Sequence, residues 1–220
     1  MKFRELKLYA NDLSGQTEFY AKILGLELLE RKEEFSVFQL GLTRLIFEQN
    51  AKFRPYHFAI NISSNREIEA LQWLKQRVNV LKFQGHEIQD FFNWNAKAMY
   101  FYDRDKNIVE FIARKNLDYP GEGDFNSSDL IEISEIGLPV EDIESTYKAL
   151  KKVVPVPIFD GNFKKFCAIG DEHGLFICIN KELKDWFPTD DKAYSSEFEI
   201  NLEENNQTYA IQFKNGVIRN

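Results

Sequence analysis

The sequence predicts an α+β fold that is assembled from several copies of one βαβββ module. Each copy opens with a strand of alternating polarity, continues through a polar turn into an amphipathic helix, and then returns to strands. Three such copies begin at Glu5, His57 and Glu135, and the first two lie about 50 residues apart. Repeats of this length are typical of folds that pack copies of a single supersecondary unit.

Local patterns place the elements of the first module. Leu6 and Leu8 alternate with polar neighbours, as in a strand with one buried face. Asp12 offers a side-chain oxygen to cap a helix, and Gly25 suits the end of that helix. Further strands are predicted at residues 26–31, 35–40 and 44–48.

The second module repeats the same order of elements. A strand at residues 56–62 leads to a helix that is capped by Asn65 and carries apolar residues at helical spacing. The polar residues 103–107 form a tight turn between the last two strands of the module. Strands after the helix are predicted at residues 80–83, 98–102 and 108–113.

The C-terminal half carries a reduced version of this pattern. A third module covers residues 131–179, with its helix predicted at residues 143–153, and a fourth begins at Glu197 but leaves room only for strands. The segment between the two halves is rich in Pro, Gly, Ser and Asp, as expected of a linker. We therefore predict a complete domain at residues 1–115, a linker at 116–130 and a reduced domain at 131–220.

Composition argues against several classes of partner. The 220 residues carry a net charge of −7, and Lys and Arg are scattered without a basic stripe, so nucleic acid is not an expected partner. The sequence has no apolar run of the roughly 18 residues that span a bilayer, and no signal peptide is recognisable, so we expect a cytoplasmic protein without a membrane partner. Cys167 and Cys178 read as free, buried thiols.

Several short motifs resemble those of the vicinal oxygen chelate superfamily. They are Glu5-x-x-Leu-Tyr-Ala-Asn-Asp-Leu13, Glu18-Phe-Tyr20, Leu24-Gly-Leu26 and the turn and strand at Tyr102–Phe111. That superfamily contains glyoxalase I, extradiol dioxygenases, fosfomycin resistance proteins and metal-free bleomycin resistance proteins. The likeness covers residues 3–114 well and residues 131–179 more weakly.

The resemblance implies paired βαβββ modules that curl into sheets around a cavity, with metal ligands on the first and last strands of each module. It implies a divalent cation (Mn, Fe, Ni or Zn) and a small-molecule substrate with neighbouring oxygens. In glyoxalase-like enzymes the last-strand Glu is the general base, which suggests Glu110, with Glu5 as the second candidate. Glu5 departs from the commoner His or Gln. The ligands carried over by position are Glu5, Glu48, His57 and Glu110.

Strand alternation supports a shared polar face without the resemblance. In the strand at 56–62, His57 and Asn61 lie on one face, and the opposite face is entirely apolar. Glu48 and Glu110 alternate with apolar neighbours in their own strands in the same way. The other side chains predicted to line the common cavity are Lys7, Tyr9, Asn61 and Tyr102.

A metal-free alternative stays open at this point. Lys7 lies two residues from Glu5 and faces the same way, so its ammonium could neutralise Glu5 or Glu48 without any cation. The protein would then be a binding protein that sequesters a small molecule. The C-terminal half, with Cys178 where a last-strand Glu is expected, is predicted to be structural and to replace a second subunit; we expect a monomer or a homodimer.

Overall fold

Three βαβββ modules and a final group of strands follow one another in the computed structural model, which describes residues 1–220. The first module contains β1 (Lys2–Ala10), α1 (Leu13–Glu18, continued by a π-helical turn at Phe19–Ile23), β2 (Glu27–Arg31), β3 (Phe35–Leu40) and β4 (Thr43–Gln49). The second contains β5 (His57–Ile62), α2 (Glu67–Lys75), β6 (Val80–Leu81), β7 (Gln89–Phe91), β8 (Ala96–Tyr102) and β9 (Ile108–Arg114).

The C-terminal half has one module with a helix and one without. The third module contains β10 (Leu130–Val140), α3 (Ile143–Val153), β11 (Ile158–Asn162), β12 (Phe166–Asp171) and β13 (Gly174–Asn180). The truncated fourth module contains β14 (Phe198–Glu204), β15 (Gln207–Lys214) and β16 (Val217–Arg219). The predicted α+β class and the truncation are confirmed. None of the three helices has the length and apolar character needed to cross a membrane.

The strands form two mixed sheets whose composition differs from the predicted domain plan. One sheet has the order β16-β15-β14-β1-β4-β3-β2, and the other has the order β11-β12-β13-β10-β5-β9-β8-β6, with β7 also paired to β8. The first module is therefore joined to the truncated fourth module by the antiparallel pair β1–β14. The second module is joined to the third by the antiparallel pair β5–β10. The expectation that the first two modules build one sheet and one site is wrong.

Strand edges explain this arrangement. Within each of the first three modules the first strand pairs with the last strand in parallel, so its other edge is free to pair with a second module. The chain stays in one sheet for modules two and three, and then crosses back through residues 181–197 to complete the other sheet. We call residues 181–197 the strap.

The apolar core lies between the two sheets. Phe58, Ile60 and Ile62 of β5 point into it, and the ring of Phe3 from the first sheet lies 5.6 Å from the ring of Phe176 in the second. Because side chains alternate along a strand, His57 and Ala59 face the opposite, concave side of the second sheet. The core therefore fixes which face of each strand is left for function.

Asp103 links the first two modules through a buried hydrogen-bond network. Its carboxylate accepts bonds from Gln16 Nε2 at 2.8 Å and from the Tyr20 hydroxyl at 2.9 Å, both from the first module. It also accepts bonds from Asn107 in its own turn, at 2.9 Å from the backbone nitrogen and 2.7 Å from Nδ2. Burial raises the pKa of Asp103 to about 6. This turn therefore has a structural role, because its carboxylate joins the first two modules.

We expect Asp103→Ala to lower the free energy of unfolding by about 3 kcal/mol or more, because several buried donors lose their acceptor. Urea denaturation followed by circular dichroism measures this loss. Asp124→Ala is the matched control, since Asp124 is exposed and its carboxylate makes no hydrogen bond. Equal midpoints for the two variants would contradict the role given to Asp103.

Candidate metal centre

Three buried side chains from three strands meet on the concave face of the second sheet. They are His57 of β5, Glu110 of β9 and Glu135 of β10, and one ligand atom from each lies within 4.8 Å of the other two. His57 Nε2 is 3.5 Å from Glu110 Oε2. Their exposed fractions are only 6 %, 3 % and 3 %. An imidazole and two carboxylates at this spacing form a candidate site for a divalent cation.

Strand register produces this convergence. Ala59 is paired with Glu110 on one side and with Glu135 on the other, so the three residues form one row across β9, β5 and β10. His57 is two residues from Ala59 and shares its face. The small side chain of Ala59 leaves space between the carboxylates, so both can lean toward the imidazole.

The protonation state of His57 is set by its surroundings. Its Nδ1 lies 3.1 Å from the carbonyl oxygen of Ile108, so Nδ1 carries the proton and donates it to that oxygen. The lone pair of Nε2 then faces Glu110. Burial lowers the pKa of His57 to about 4, and the nearby Lys184 ammonium acts in the same direction. His57 is a neutral imidazole at neutral pH, which is the form that ligates metals.

The two carboxylates are poorly solvated. Burial raises the pKa of Glu110 well above its ordinary value, and the neighbouring charge of Glu135 raises it further. Burial also raises the pKa of Glu135, and the Arg114 guanidinium opposes the shift. Arg114 is fully buried, forms an ion pair with Glu135, and leaves its Nη1 without a hydrogen-bond partner. One guanidinium for two carboxylates leaves a negative centre that a cation would stabilise.

A cavity of about 740 Å³ opens onto these three side chains. Its walls combine aromatic rings with carboxylates, and the strap covers part of it. The Trp186 ring lies 4.9 Å from the His57 ring. The aromatic residues that line the cavity are Phe83, Phe91, Phe92, Trp94, Tyr100, Phe166, Trp186 and Phe187.

Glu5 and Glu48 do not join this centre, although the sequence suggested that they would. Both lie in the first sheet, on β1 and β4, because the first module pairs with the fourth and not with the second. Lys7 Nζ lies 3.2 Å from Glu48 and 2.8 Å from Glu199. Glu5 lies 3.6 Å from Arg44 and accepts a hydrogen bond from Asn201. Lysine and arginine side chains of the protein thus neutralise these carboxylates.

The side chains predicted to line the cavity also lie elsewhere. Lys7 belongs to the ion pairs of the first sheet, and Tyr9 lines a separate groove between the sheets. Asn61 is buried and donates to Glu132, since it lies further along β5 than the cavity reaches. The Tyr102 hydroxyl donates to Asp191 in the strap.

Sequence reasoning underestimated Glu135 because it lies in the half expected to be structural. In the third module, the last-strand position that corresponds to Glu110 is occupied by Ile177. Ile177 pairs with Gly137 of β10 in the same way that Glu110 pairs with Ala59 of β5. Cys178, to which that position was assigned, is one residue further and points into the core. A shift of one residue moves a side chain to the other face of a strand, and only the register resolves it.

Comparisons with known proteins agree with this architecture. A curated metallothiol transferase FosB from Staphylococcus haemolyticus is 30% identical over 108 residues, which span 46% of this chain and 74% of that protein. A dioxygenase structure from Bacillus subtilis aligns with a TM-score of 0.60 at 15% identity, over 81% of this chain and 63% of that chain. A glyoxalase I mutant from Zea mays aligns with a TM-score of 0.54 at 17% identity, over 80% of this chain and 66% of that chain.

No family model matches the chain. The similarity to the metallothiol transferase nevertheless covers most of that relative, and the two solved structures share the fold. The chain belongs to the vicinal oxygen chelate superfamily. Its fold is the glyoxalase-like arrangement of curled sheets built from βαβββ modules.

In the metal-free protein we expect the His57 ring signals to stay constant between pH 8 and pH 5, because its pKa in the fold is about 4. This pKa in the fold is below the ordinary value of 6.5 that holds in the unfolded chain. The free energy of unfolding therefore has its full His57 contribution above pH 6.5 and loses that contribution as the pH falls toward 4. Carbon-13 correlated NMR of EDTA-treated protein checks this, with His57→Ala to assign the signal. A midpoint above 6 would contradict it.

Proposed function

We propose that this protein is a divalent-metal-dependent enzyme that acts on a small molecule with neighbouring oxygen atoms. The candidate ligands are His57, Glu110 and Glu135. The observation that carries the proposal is the convergence of these three buried groups from three strands at the base of a single aromatic cavity. A buried cluster of this kind is costly without a charge partner, which is why it points to function.

The donor set fits Mn, Fe, Ni or Zn, since these ions accept one imidazole and two carboxylate oxygens. Three protein ligands leave coordination positions for two adjacent oxygens of a substrate. When bound, the metal would act as a Lewis acid toward those oxygens. The name of the metallothiol transferase relative refers to a metal, and we propose that this chain also depends on a metal.

Glu110 is the residue that we propose to hold or move a proton. Burial and the charge of Glu135 raise its pKa, and a carboxylate with a raised pKa is a stronger base. Tyr100 lines the same cavity beside Glu110. Glu5, the second candidate base from the sequence, belongs to the other sheet, and we assign it no catalytic role.

We expect protein purified without chelators to contain about one metal ion per chain. Glu110→Gln and Glu135→Gln should each lower metal content or affinity about ten-fold or more, because an amide is a weaker ligand than a carboxylate. Elemental analysis and thermal shift with added Mn, Fe, Ni or Zn give the two readouts.

Glu48→Gln is the matched control. It makes the same chemical change at a carboxylate that Lys7 already pairs with in the other sheet, so metal content should not change. A wild-type protein with no stoichiometric metal and no thermal shift would reject the proposal. Equal losses in Glu48→Gln and Glu110→Gln would reject the assignment of the ligands.

A metal-free binding protein is the second candidate. The observation in its favour is the buried ion pair between Arg114 and Glu135, which neutralises one carboxylate without any cation. This alternative expects a ligand to raise the melting temperature equally with and without EDTA, and equally in Glu110→Ala. The metal-dependent proposal expects both treatments to abolish most of that rise.

A further inference from the structure

A second row of buried polar side chains lies next to the candidate metal centre in the second sheet. Asn61 follows Ala59 by two residues along β5, and it pairs with Glu132 of β10 as Ala59 pairs with Glu135. Asn61 and Glu132 are each only 1 % exposed. Polar groups at this depth need hydrogen-bond partners, so the contacts of this row indicate its role.

The Asn61 amide has one orientation that satisfies all of its neighbours. Its Oδ1 accepts a hydrogen bond from Arg114 Nε at 3.1 Å. Its Nδ2 donates to Glu132 Oε1 at 3.1 Å and to the carbonyl oxygen of Glu172 at 2.9 Å. A guanidinium cannot accept a hydrogen bond, and carboxylate and carbonyl oxygens cannot donate one. A flipped amide would therefore lose all three bonds.

Glu132 is held in turn by two side chains that are nearer to the surface. Its Oε1 accepts a hydrogen bond from the Tyr119 hydroxyl at 3.1 Å and lies 2.9 Å from His173 Nδ1. Tyr119 and His173 are only partly buried. The contacts thus run without a break from the edge of the protein to Asn61.

Arg114 extends this restraint to the metal centre. Its Nε is bonded to Asn61, its Nη2 is bonded to Glu135 Oε1, and its guanidinium carbon lies 5.5 Å from the centre of the Trp94 ring. Contacts at two edges and one face fix the plane of this group. The bond from Arg114 reaches only Oε1 of Glu135, so Oε2 remains for a cation.

We infer that Asn61 is a positioning residue for the candidate metal centre. It holds the Arg114 guanidinium in the orientation in which Nη2 restrains Glu135, so that the second carboxylate oxygen is ready to ligate. An unrestrained glutamate side chain loses rotamer entropy when it binds a metal, and the restraint removes that cost beforehand. The inference rests on the proposed function for the ligand role of Glu135, and it adds a residue that does not line the cavity.

The first test measures the dissociation constant for Zn²⁺ by isothermal titration calorimetry of protein that has been stripped with EDTA and dialysed. Asn61→Leu keeps the approximate size of the side chain but removes both of its hydrogen-bonding groups. We expect it to weaken Zn²⁺ binding about ten-fold or more, the usual effect of losing an outer-shell partner. Glu132→Gln keeps an acceptor oxygen for Asn61, so it should bind Zn²⁺ as the wild type does.

Asn201→Leu is the matched control. It makes the same change at an asparagine of the first sheet that donates to Glu5 at 3.0 Å, so the affinity for Zn²⁺ should not change. An unchanged affinity in Asn61→Leu, or an equal loss in Asn201→Leu, would overturn the inference. Circular dichroism checks the fold of each metal-free variant. If Asn61→Leu does not fold, Asn61→Ser replaces it with the same expectation, because the serine hydroxyl is too short to reach Arg114.

A second measurement needs no metal and separates this inference from the proposed function. Nitrogen-15 NMR of the metal-free wild type should show a slowly exchanging Nε–H signal of Arg114, because this group is buried and hydrogen-bonded, and Asn61→Leu should remove it. Arg114→Lys assigns the signal. A signal that is the same in both proteins would overturn the inference, whether or not metal binds. A signal that depends on Asn61, in a wild type that binds none of Mn, Fe, Ni and Zn, would support the restraint of Arg114 and reject the proposed function.

Discussion

The antiparallel pairing of β5 with β10 is the contact on which the candidate site depends. It brings Glu135 to one side of Ala59 while the parallel pairing with β9 brings Glu110 to the other. No two of the three strands would suffice, because each contributes one side chain to the cluster. A small residue in the middle of the row is equally necessary, since a larger one would fill the space that the carboxylates share.

The negative charges of the carboxylates are compensated differently in the two sheets. In the first sheet, half-buried carboxylates lie beside Lys7 and Arg44, so charge is satisfied within the protein and water covers the remainder. In the second sheet the carboxylates of Glu110 and Glu135 are almost fully buried, and Arg114 forms an ion pair with only one of them. Burial with incomplete compensation is what distinguishes a reactive site from a stable polar surface.

The metal-free ion pair between Arg114 and Glu135 and the proposed ligation by Glu135 use the same carboxylate. Arg114 also donates a hydrogen bond to Asn61 Oδ1, and Asn61 Nδ2 donates in turn to Glu132. This chain of contacts holds Glu135 in place before any cation arrives. A preorganised ligand lowers the cost of ordering the site when the metal or the substrate binds.

The sequence by itself determined the modules, the presence of their helices and the face that each strand presents, because alternation and helical periodicity are local properties. The predicted cap of the second helix, Asn65, is wrong, since the helix begins after Arg66 and no side chain caps it. It identified His57 and Glu110 as inward-facing on that basis, and the helix at residues 143–153 was predicted with the bounds that the structure has. The partners of each module were decided only by the tertiary structure, since β1 and β5 offer similar free edges and local pattern does not say which strand will fill them. That choice separated Glu5 and Glu48 from His57 and put Glu135 in their place. It also placed Lys184 at the cavity, because a distant crossover segment passes over this sheet and not the other.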